Sequence, residues 1–326
     1  MQVSSPGKPA LRPACAGGNM EYMSESEKCP KPPVPASTLI LVRQEYEGFQ
    51  VYLLRRSHQS GFMPGNYVFP GGTVDPGDRD AGFWKKHVDM DQEQIRSRFV
   101  RNDTALNMED ALAHGIAAVR ETFEEASLLL LHGTGREADD LGRLWGRNLD
   151  GALPEAWLRD LVVDGKWIVT LSALACWSHW ITPEIRTRRY DTRFFLAFMP
   201  EGQECRPDNR ETTHGIWVNP EKALAGNLQG EIPLSPPAIL TLQELLRYPA
   251  ITALRKEVEN RWWGEVKMPR LVPMGRGLLL LLPWDPQYGH KEIRVEAKGL
   301  EKGPALNDRP FSRLWYENGI WRPVSP

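Results

Sequence analysis

Cysteine is scarce in this sequence. The chain of 326 residues has four cysteines, at positions 15, 29, 176 and 205, and no two of them form a C-x-x-C pair. Structural zinc sites and disulfide frameworks need closely spaced or numerous cysteines, so this spacing argues against both. The cysteine content therefore fits a reducing compartment.

Long apolar runs and an excess of charge of either sign are also missing. The longest apolar run, residues 278–282, ends at Pro283 and is far too short to span a bilayer, so we expect a buried strand and no membrane partner. The formal net charge is −2, which lacks the basic field of nucleic-acid binders, so no nucleic-acid partner is expected. The N-terminus has no apolar signal core, and the final "RPVSP" is neither a peroxisomal nor an ER address. Cytoplasm is the expected location.

The sequence divides into three parts. Residues 1–35 are rich in Pro, Gly, Ser and Lys, which predicts a disordered tail. Residues 36–235 mix strand-like and helix-like patterns and predict an α/β domain, with a polar stretch at about 79–108. Residues 236–326 form a C-terminal extension in which helices are expected to pack on the core, with at least one tryptophan of "ENRWWGEV" buried. This extension could also form a homodimer contact.

Two local patterns in the α/β domain are well defined. Residues 37–42 and 49–56 are apolar runs separated by a polar turn, which predicts a β-hairpin. From about Met108, apolar residues recur at spacings of three and four, which predicts a helix with one apolar stripe. The stripe consists of Leu112, Ile116, Val119, Phe123, Ala126 and Leu130.

Three acids crowd the end of this helix. Glu121, Glu124 and Glu125 share one face through i, i+3 and i+4 relations, and Arg120 stands beside them. Like charges at these spacings repel, and a hard divalent cation would offset that repulsion because carboxylate oxygens are ligands that Mg²⁺ prefers. The alternative is a solvated acidic face with Arg120 as its salt-bridge partner, which is common on exposed helices.

The context of the acids resembles the Nudix box, G-x5-E-x7-R-E-U-x-E-E-x-G-U, where U is aliphatic. Gly72 takes the place of the first glycine, and "RETFEEASL" matches the R-E and E-E pairs. Asp78 stands where the box has its first glutamate, and Ser127 where it has its last glycine. Residues 79–119, 41 positions instead of seven, separate Asp78 from Arg120, so 34 residues are inserted.

A long insertion inside the box resembles one branch of the Nudix hydrolases, that of the mammalian peroxisomal coenzyme A diphosphatase. "LLRRSHQSGFMPGNYVFPGG", "WSHWITPE" and "YDTRFFLAFMP" are similar to that branch too, so the resemblance covers about residues 37–285. It implies a Nudix α/β/α sandwich with a mixed central sheet, a box insertion and a C-terminal helical extension. We also expect the insertion to cap or border the cleft.

The resemblance assigns roles to the box residues. It implies Mg²⁺ or Mn²⁺ held mainly by Glu124 and Glu125, with Glu121 as a further ligand or a base and the Gly71 carbonyl as a backbone ligand. Arg120 would orient the acids. Gly71 and Gly72 have no side chains, so the backbone there can approach ions or phosphate closely.

A base outside the box is also expected, since family members often place a glutamate in a later loop. In "NRETTHGIWV", Glu211 precedes Trp217 by six residues and is the candidate ligand or base. A solvated loop glutamate is the alternative for Glu211, and His214 is a weaker rival.

Two arginine-containing stretches bear on the substrate. Ser57, Gly65 and "FPGG" partly match a signature of coenzyme A-specific Nudix enzymes, and Arg55 and Arg56 could supply its missing positive charge. "RTRRYDTRFF" holds four arginines, among them Arg189 and Arg193, and guanidinium groups suit phosphate recognition. Exposed surface arginines are the alternative for both stretches.

The expected function is hydrolysis of coenzyme A or acyl-coenzyme A to 3′,5′-ADP and (acyl-)4′-phosphopantetheine. Alternatives are another nucleotide-type small-molecule substrate, such as ADP-ribose or a dinucleotide, an RNA-cap hydrolase, and a non-catalytic nucleotide-binding Nudix module. The retention of Glu121, Glu124 and Glu125 argues against the non-catalytic module.

Overall fold

The computed structural model describes residues 31–46, 48–58, 63–101, 106–133, 137–151, 153–293 and 311–324. The strands are β1 (Val34–Glu45), β2 (Gly48–Arg56), β3 (Tyr67–Val68), β4 (Gly71–Thr73), β5 (Leu131–Gly133), β6 (Trp167–Val169), β7 (Ala175–Ile181), β8 (Tyr190–Phe198), β9 (Thr212–Val218), β10 (Arg270–Met274), β11 (Gly277–Leu281), β12 (Arg313–Glu317) and β13 (Ile320–Val324). The helices are α1 (Ala81–Trp84), α2 (Gln92–Ile95), α3 (Met108–Ala126), α4 (Glu137–Leu149), α5 (Trp157–Gly165), α6 (Pro220–Gln229), α7 (Pro236–Leu245) and α8 (Ile251–Val258).

A mixed sheet of seven strands forms the centre of the fold. β1 pairs in parallel with β8 along one edge and antiparallel with β2 and β4 along the other. β2 also pairs with β3 and β9, and β7 extends the sheet beyond β8. The predicted hairpin is therefore present as β1–β2. β1 begins at Val34, inside the expected tail of residues 1–35; residues 1–30 lie outside the described part of the chain.

Helices cover both faces of this sheet. Successive side chains of a strand point to opposite faces. On β1, Leu39 and Leu41 pack in a cluster with Ile116 and Phe123 of α3, whereas Ile40 packs in a second cluster with residues of α7 and α8. The sequence prediction of an α/β sandwich with a mixed sheet is thus confirmed.

Helix α3 lies inside the molecule. It begins at the N-cap Asn107, whose side chain accepts a hydrogen bond from Asp110 N, and ends at Ser127 in the left-handed conformation (φ 57°). The residues of the predicted apolar stripe are buried, although the last of them, Leu130, lies beyond the end of the helix; Arg120 and Glu125 are buried too. The acids therefore project into an interior space and do not form a solvated face.

The C-terminal extension contains more than helices. After α7 and α8, strands β10 to β13 form an antiparallel sheet in sequential order. Of these four strands, only β11 was predicted from the sequence. The β12–β13 hairpin has a signal that this prediction missed: Asn318 (φ 53°) and Gly319 (φ 84°) form the turn, and Asn-Gly is the strongest short hairpin signal. Trp263 is buried and Trp262 is 41% exposed, so the expected burial of one tryptophan is confirmed.

Among the described residues, no helix is both long and apolar enough to cross a bilayer.

Candidate active site

Arg120 is the centre of a buried polar network. Its Nε and Nη2 donate to the Asp78 carboxylate at 3.0 and 2.9 Å, and its Nη1 donates to Glu124 Oε2 at 2.9 Å. Nη2 also donates to the Thr73 carbonyl at 2.8 Å, and Nη1 lies 3.0 Å from Glu121 Oε1. One guanidinium thus ties the β4 loop to three acids, as expected of a group that orients them.

The double glycine brings the backbone of β4 against the acids. Gly71 N–H donates to Glu125 Oε2 at 2.9 Å. Gly71 has φ +152°, and a Cβ there would stand 2.2 Å from the Ser37 carbonyl oxygen in β1. A Cβ on Gly72 would stand 2.5 Å from the Glu121 carboxylate. Gly71 therefore needs glycine because of the neighbouring strand, whereas a side chain at Gly72 would displace the Glu121 carboxylate.

The three glutamates are buried to different degrees, and burial dominates their titration. Burial raises the pKa of Glu125 to about 8, although Arg56 and the Gly71 N–H oppose that rise. Burial also raises the pKa of Glu121 well above its usual value and raises the pKa of Glu124, in both cases against the effect of Arg120. The surrounding arginines and N–H groups thus do not offset the cost of burying these carboxylates in their charged form.

This uncompensated burial fits a hard divalent cation, because buried carboxylates need either protons or a cation to neutralise them. The acids do not converge on one point, however. Glu124 accepts hydrogen bonds from Arg120 and from Trp157 Nε1, the latter at 2.7 Å. Within the described ranges, no group of three or more His, Cys, Asp or Glu side chains is arranged to hold a metal. The donor chemistry fits a cation, and the arrangement is not a preassembled cage.

The acids line a cavity of about 490 Å³. Its lining includes Gly71, Gly72, Glu121, Glu124 and Glu125, together with Arg56 and Glu211. To the same cavity β7, β8, α7 and the C-terminal sheet supply mostly apolar side chains. These include Trp180, Phe194, Pro236, Pro237, Leu271, Leu280 and Trp321.

Two of the residues predicted outside the box lie in this cavity. Glu211 is exposed in the loop before β9, and its charge helps to raise the pKa of Glu125. Arg56 lines the wall and opposes that rise. Ser57 does not line the cavity, but its N–H donates to the Glu211 carbonyl at 2.8 Å and so helps to position that loop. Arg55 lies outside the cavity, with its guanidinium 5.9 Å from the Tyr67 ring centroid.

The other predicted substrate-binding arginines do not line the cavity. Arg189 is buried, and its guanidinium donates to the carbonyls of Thr182 and Lys31. Arg193 is buried 5.3 Å from the Trp263 ring centroid. Tyr190, Thr192 and Phe194 of β8 line the cavity, so strand alternation directs Arg193 to the opposite face. From the same stretch, Arg186 lines the cavity instead.

Sequence reasoning missed two residues that support the site. Asp208 accepts hydrogen bonds from the N–H groups of Glu211 and Thr212, at 3.0 and 2.9 Å, and so shapes the loop that carries Glu211. An Asp that caps N–H groups three and four residues ahead is a turn signal that could have been found. Trp157, which donates to Glu124, lies on a different helix and leaves no local signal.

The expectation that the insertion borders the cleft is wrong for the described part of residues 79–108. None of those residues lines the cavity. Ile95 and Phe99 are buried in the cluster on the α3 side of the sheet, and Trp263 Nε1 donates to the Phe99 carbonyl at 2.7 Å. This part of the insertion therefore packs into the core through its apolar side chains, and it does not cover the cavity.

Comparison with known families supports the family that the box motif indicates. A family model described as the NUDT19 Nudix domain matches residues 26–245, more than half of the chain. The chain belongs to the Nudix hydrolase family. The predicted family, its branch with a box insertion and the predicted enzyme class, a Nudix-type pyrophosphohydrolase, are confirmed.

Individual proteins of this family are similar to most of the chain. Acyl-coenzyme A diphosphatase NUDT19 of Homo sapiens is 31% identical over 281 residues, which cover 74% of this chain and 73% of that protein. The protein of the same name from Gallus gallus is 30% identical over 316 residues, which cover 83% of this chain and 82% of that protein. The crystal structure of a Nudix hydrolase from Alicyclobacillus acidocaldarius is 26% identical, with a TM-score of 0.50, and covers 68% of this chain and 96% of that one.

Proposed function

We propose that this protein is a divalent-metal-dependent diphosphatase of coenzyme A or acyl-coenzyme A that releases 3′,5′-ADP and (acyl-)4′-phosphopantetheine. The observation that carries the proposal is one cavity lined by the box glutamates, the double glycine, Arg56, Arg186 and a set of apolar side chains. Coenzyme A combines the same features, since it has a diphosphate, a further phosphate and an uncharged arm. The printed names of the human and chicken relatives support this substrate class.

The reaction requires a negatively charged diphosphate to enter an acidic site. A bound Mg²⁺ or Mn²⁺ would neutralise that charge and activate water. Glu124 and Glu125 are the residues proposed to hold it, with Glu121 and the Gly71 carbonyl as further ligands. Arg120 keeps Glu124 in place, and the Gly71 N–H orients Glu125. Arg56 is the proposed contact for a substrate phosphate, and Arg186, which replaces Arg189 and Arg193 in this role, is the proposed contact for a second one.

Glu211 is the proposed base, because it lies in the cavity and is exposed, whereas the box acids are enclosed by protein groups. The Glu211 carboxylate would accept a proton from the attacking water. The Glu211→Gln variant should lose at least about 10²-fold in kcat, since general bases contribute about 10²- to 10⁴-fold. The measurement is steady-state kcat at saturating substrate. Glu204→Gln, in the same loop with an exposed carboxylate, is the control, and equal kcat values for both variants would show that Glu211 is a bystander.

The substrate is tested with a panel. The purified full chain is assayed on coenzyme A, decanoyl-coenzyme A, ADP-ribose and a diadenosine polyphosphate, each with Mg²⁺, with Mn²⁺ and with EDTA, and the products are identified by mass spectrometry. We expect 3′,5′-ADP from both coenzyme A substrates, kcat/KM at least tenfold above the other two, and no turnover in EDTA. A preference for ADP-ribose or the dinucleotide would instead support the alternative nucleotide substrates, and turnover in EDTA would remove the metal from the proposal.

A small nucleotide-type substrate is the proposed partner, with no nucleic acid and no membrane. Of the described cysteines, Cys176 and Cys205 are free thiols, which supports a cytoplasmic location. A homodimer through the C-terminal extension stays a prediction.

A further inference from the structure

The C-terminal sheet supplies one wall of the cavity. Leu271 of β10 and Leu280 of β11 are cross-strand partners, and both line the cavity together with Pro269 and with Trp321 of β13. We call these four residues the C-terminal wall. They lie beyond residue 245, where the match to the family model ends. The shape of this wall is therefore a feature of the extension and not of the matched Nudix domain.

The lining that the extension contributes differs in charge from the box acids. No residue that follows Glu211 in the sequence and lines the cavity is ionisable, and Pro236 and Pro237 of α7 add to the apolar lining. The cations and acids of the cavity all come from earlier elements. The C-terminal wall is therefore an apolar surface, against which a charged group would lose its hydration without gaining a partner.

The two halves of an acyl-coenzyme A differ in the same way. Its 3′,5′-ADP half carries phosphates that need cations, which Arg56 and Arg186 can provide. Its acyl end is uncharged and apolar. We infer that the C-terminal wall binds the acyl chain and sets the chain-length preference of the enzyme. This inference rests on the proposed function and adds the specificity-determining residues to it.

An acyl chain that lies against the C-terminal wall should strengthen transition-state binding with each methylene that it buries. Complete burial of one methylene corresponds to about fourfold in affinity. For the wild-type protein we expect kcat/KM to rise at least tenfold from acetyl- to decanoyl-coenzyme A. Because free coenzyme A lacks the acyl group, its turnover does not depend on binding of a chain to the C-terminal wall.

The test replaces Leu271 with a larger side chain that occupies the space beside the C-terminal wall. The Leu271→Trp variant should lower the decanoyl-to-acetyl ratio of kcat/KM at least tenfold. Val272→Trp is the matched control, because Val272 is the next residue of β10 and packs against the other face of the C-terminal sheet, with Leu279 and Trp315. That control should keep the wild-type ratio. Calorimetric titration in EDTA should give the same change in the ratio of dissociation constants, without turnover.

The outcomes separate this inference from the proposed function. If wild type cleaves coenzyme A but its kcat/KM does not rise with chain length, or if Leu271→Trp and Val272→Trp change the ratio equally, the C-terminal wall is not the acyl site while the diphosphatase assignment stands. If wild type cleaves neither coenzyme A nor its thioesters, both fall. Should Leu271→Trp fail to fold, Leu271→Ser replaces it, and the same flattening of the chain-length series is expected from its polar hydroxyl.

Discussion

Replacing Glu124 by Gln should lower kcat/KM for coenzyme A by at least about 100-fold, since loss of a group that merely supports a metal ligand already costs 10–100-fold and Glu124 is a proposed ligand itself. The substitution removes charge with little change of shape. In wild type Trp157 donates to Glu124 Oε1 at 2.7 Å and Arg120 donates to Oε2 at 2.9 Å, so the single amide oxygen of Gln can keep one of these hydrogen bonds. The loss should therefore appear in turnover and in Mn²⁺ affinity, together with a smaller decrease in Tm from the hydrogen bond that Gln cannot accept.

The matched control for Glu124 lies on the same helix. Glu109 is in the first turn of α3, with a side chain 64% exposed and paired with Lys85, so Glu109→Gln removes the same charge far from the cavity. Steady-state kinetics and Mn²⁺ titration are run on both variants. If Glu124→Gln keeps kcat/KM within threefold of wild type, Glu124 holds no metal, and the chemical roles given to the box acids need to be revised.

Replacing Arg120 by Met should reduce the free energy of unfolding by about 3–5 kcal/mol at pH 8, because removal of one partner from a buried ion pair leaves the other charge uncompensated. Asp78 would be that charge, with a side chain 3% exposed and two close bonds from the guanidinium. The Thr73 carbonyl would also lose its bond from Nη2. Urea denaturation of wild type and variant measures the difference.

The pH dependence of the Arg120→Met effect distinguishes lost charge compensation from lost packing. Burial already raises the pKa of Asp78 in wild type, against the effect of Arg120, so the pKa should rise further without the arginine. A carboxyl with a raised pKa in the folded state binds a proton on folding, so its contribution to stability falls as pH increases between its unfolded and folded pKa values. The cost of the substitution should thus be smaller at pH 5 than at pH 8.

The double variant Asp78→Asn with Arg120→Met provides the control, because it removes the charge and its partner together. It should be more stable at pH 8 than Arg120→Met alone. A cost below 1 kcal/mol for Arg120→Met, or the same cost at both pH values, would mean that Arg120 contributes little to stability through Asp78.

Local patterns in the sequence determined the box and the elements that carry it. The spacing of Glu121, Glu124 and Glu125 places them on one side of any helix that contains them, because a helix has a fixed period of 3.6 residues. This relation does not depend on the tertiary structure. The apolar stripe of α3 and the β1–β2 hairpin are local in the same sense. Gly72 and Asp78 could be matched to the motif despite the insertion, and the structure places both against this helix.

Tertiary structure alone decided which side chains share the cavity. Arg186 and Arg193 belong to one arginine-rich stretch, but strand alternation on β8 and the packing around it bring Arg186 to the cavity and send Arg193 to Trp263. Trp157 reaches Glu124 from another helix. The insertion interrupts the box in sequence yet packs behind the site, and the extension, distant in sequence, forms its apolar wall. Contacts between distant segments depend on which faces of the helices and strands are buried against each other. Local periodicity in the sequence does not determine that packing.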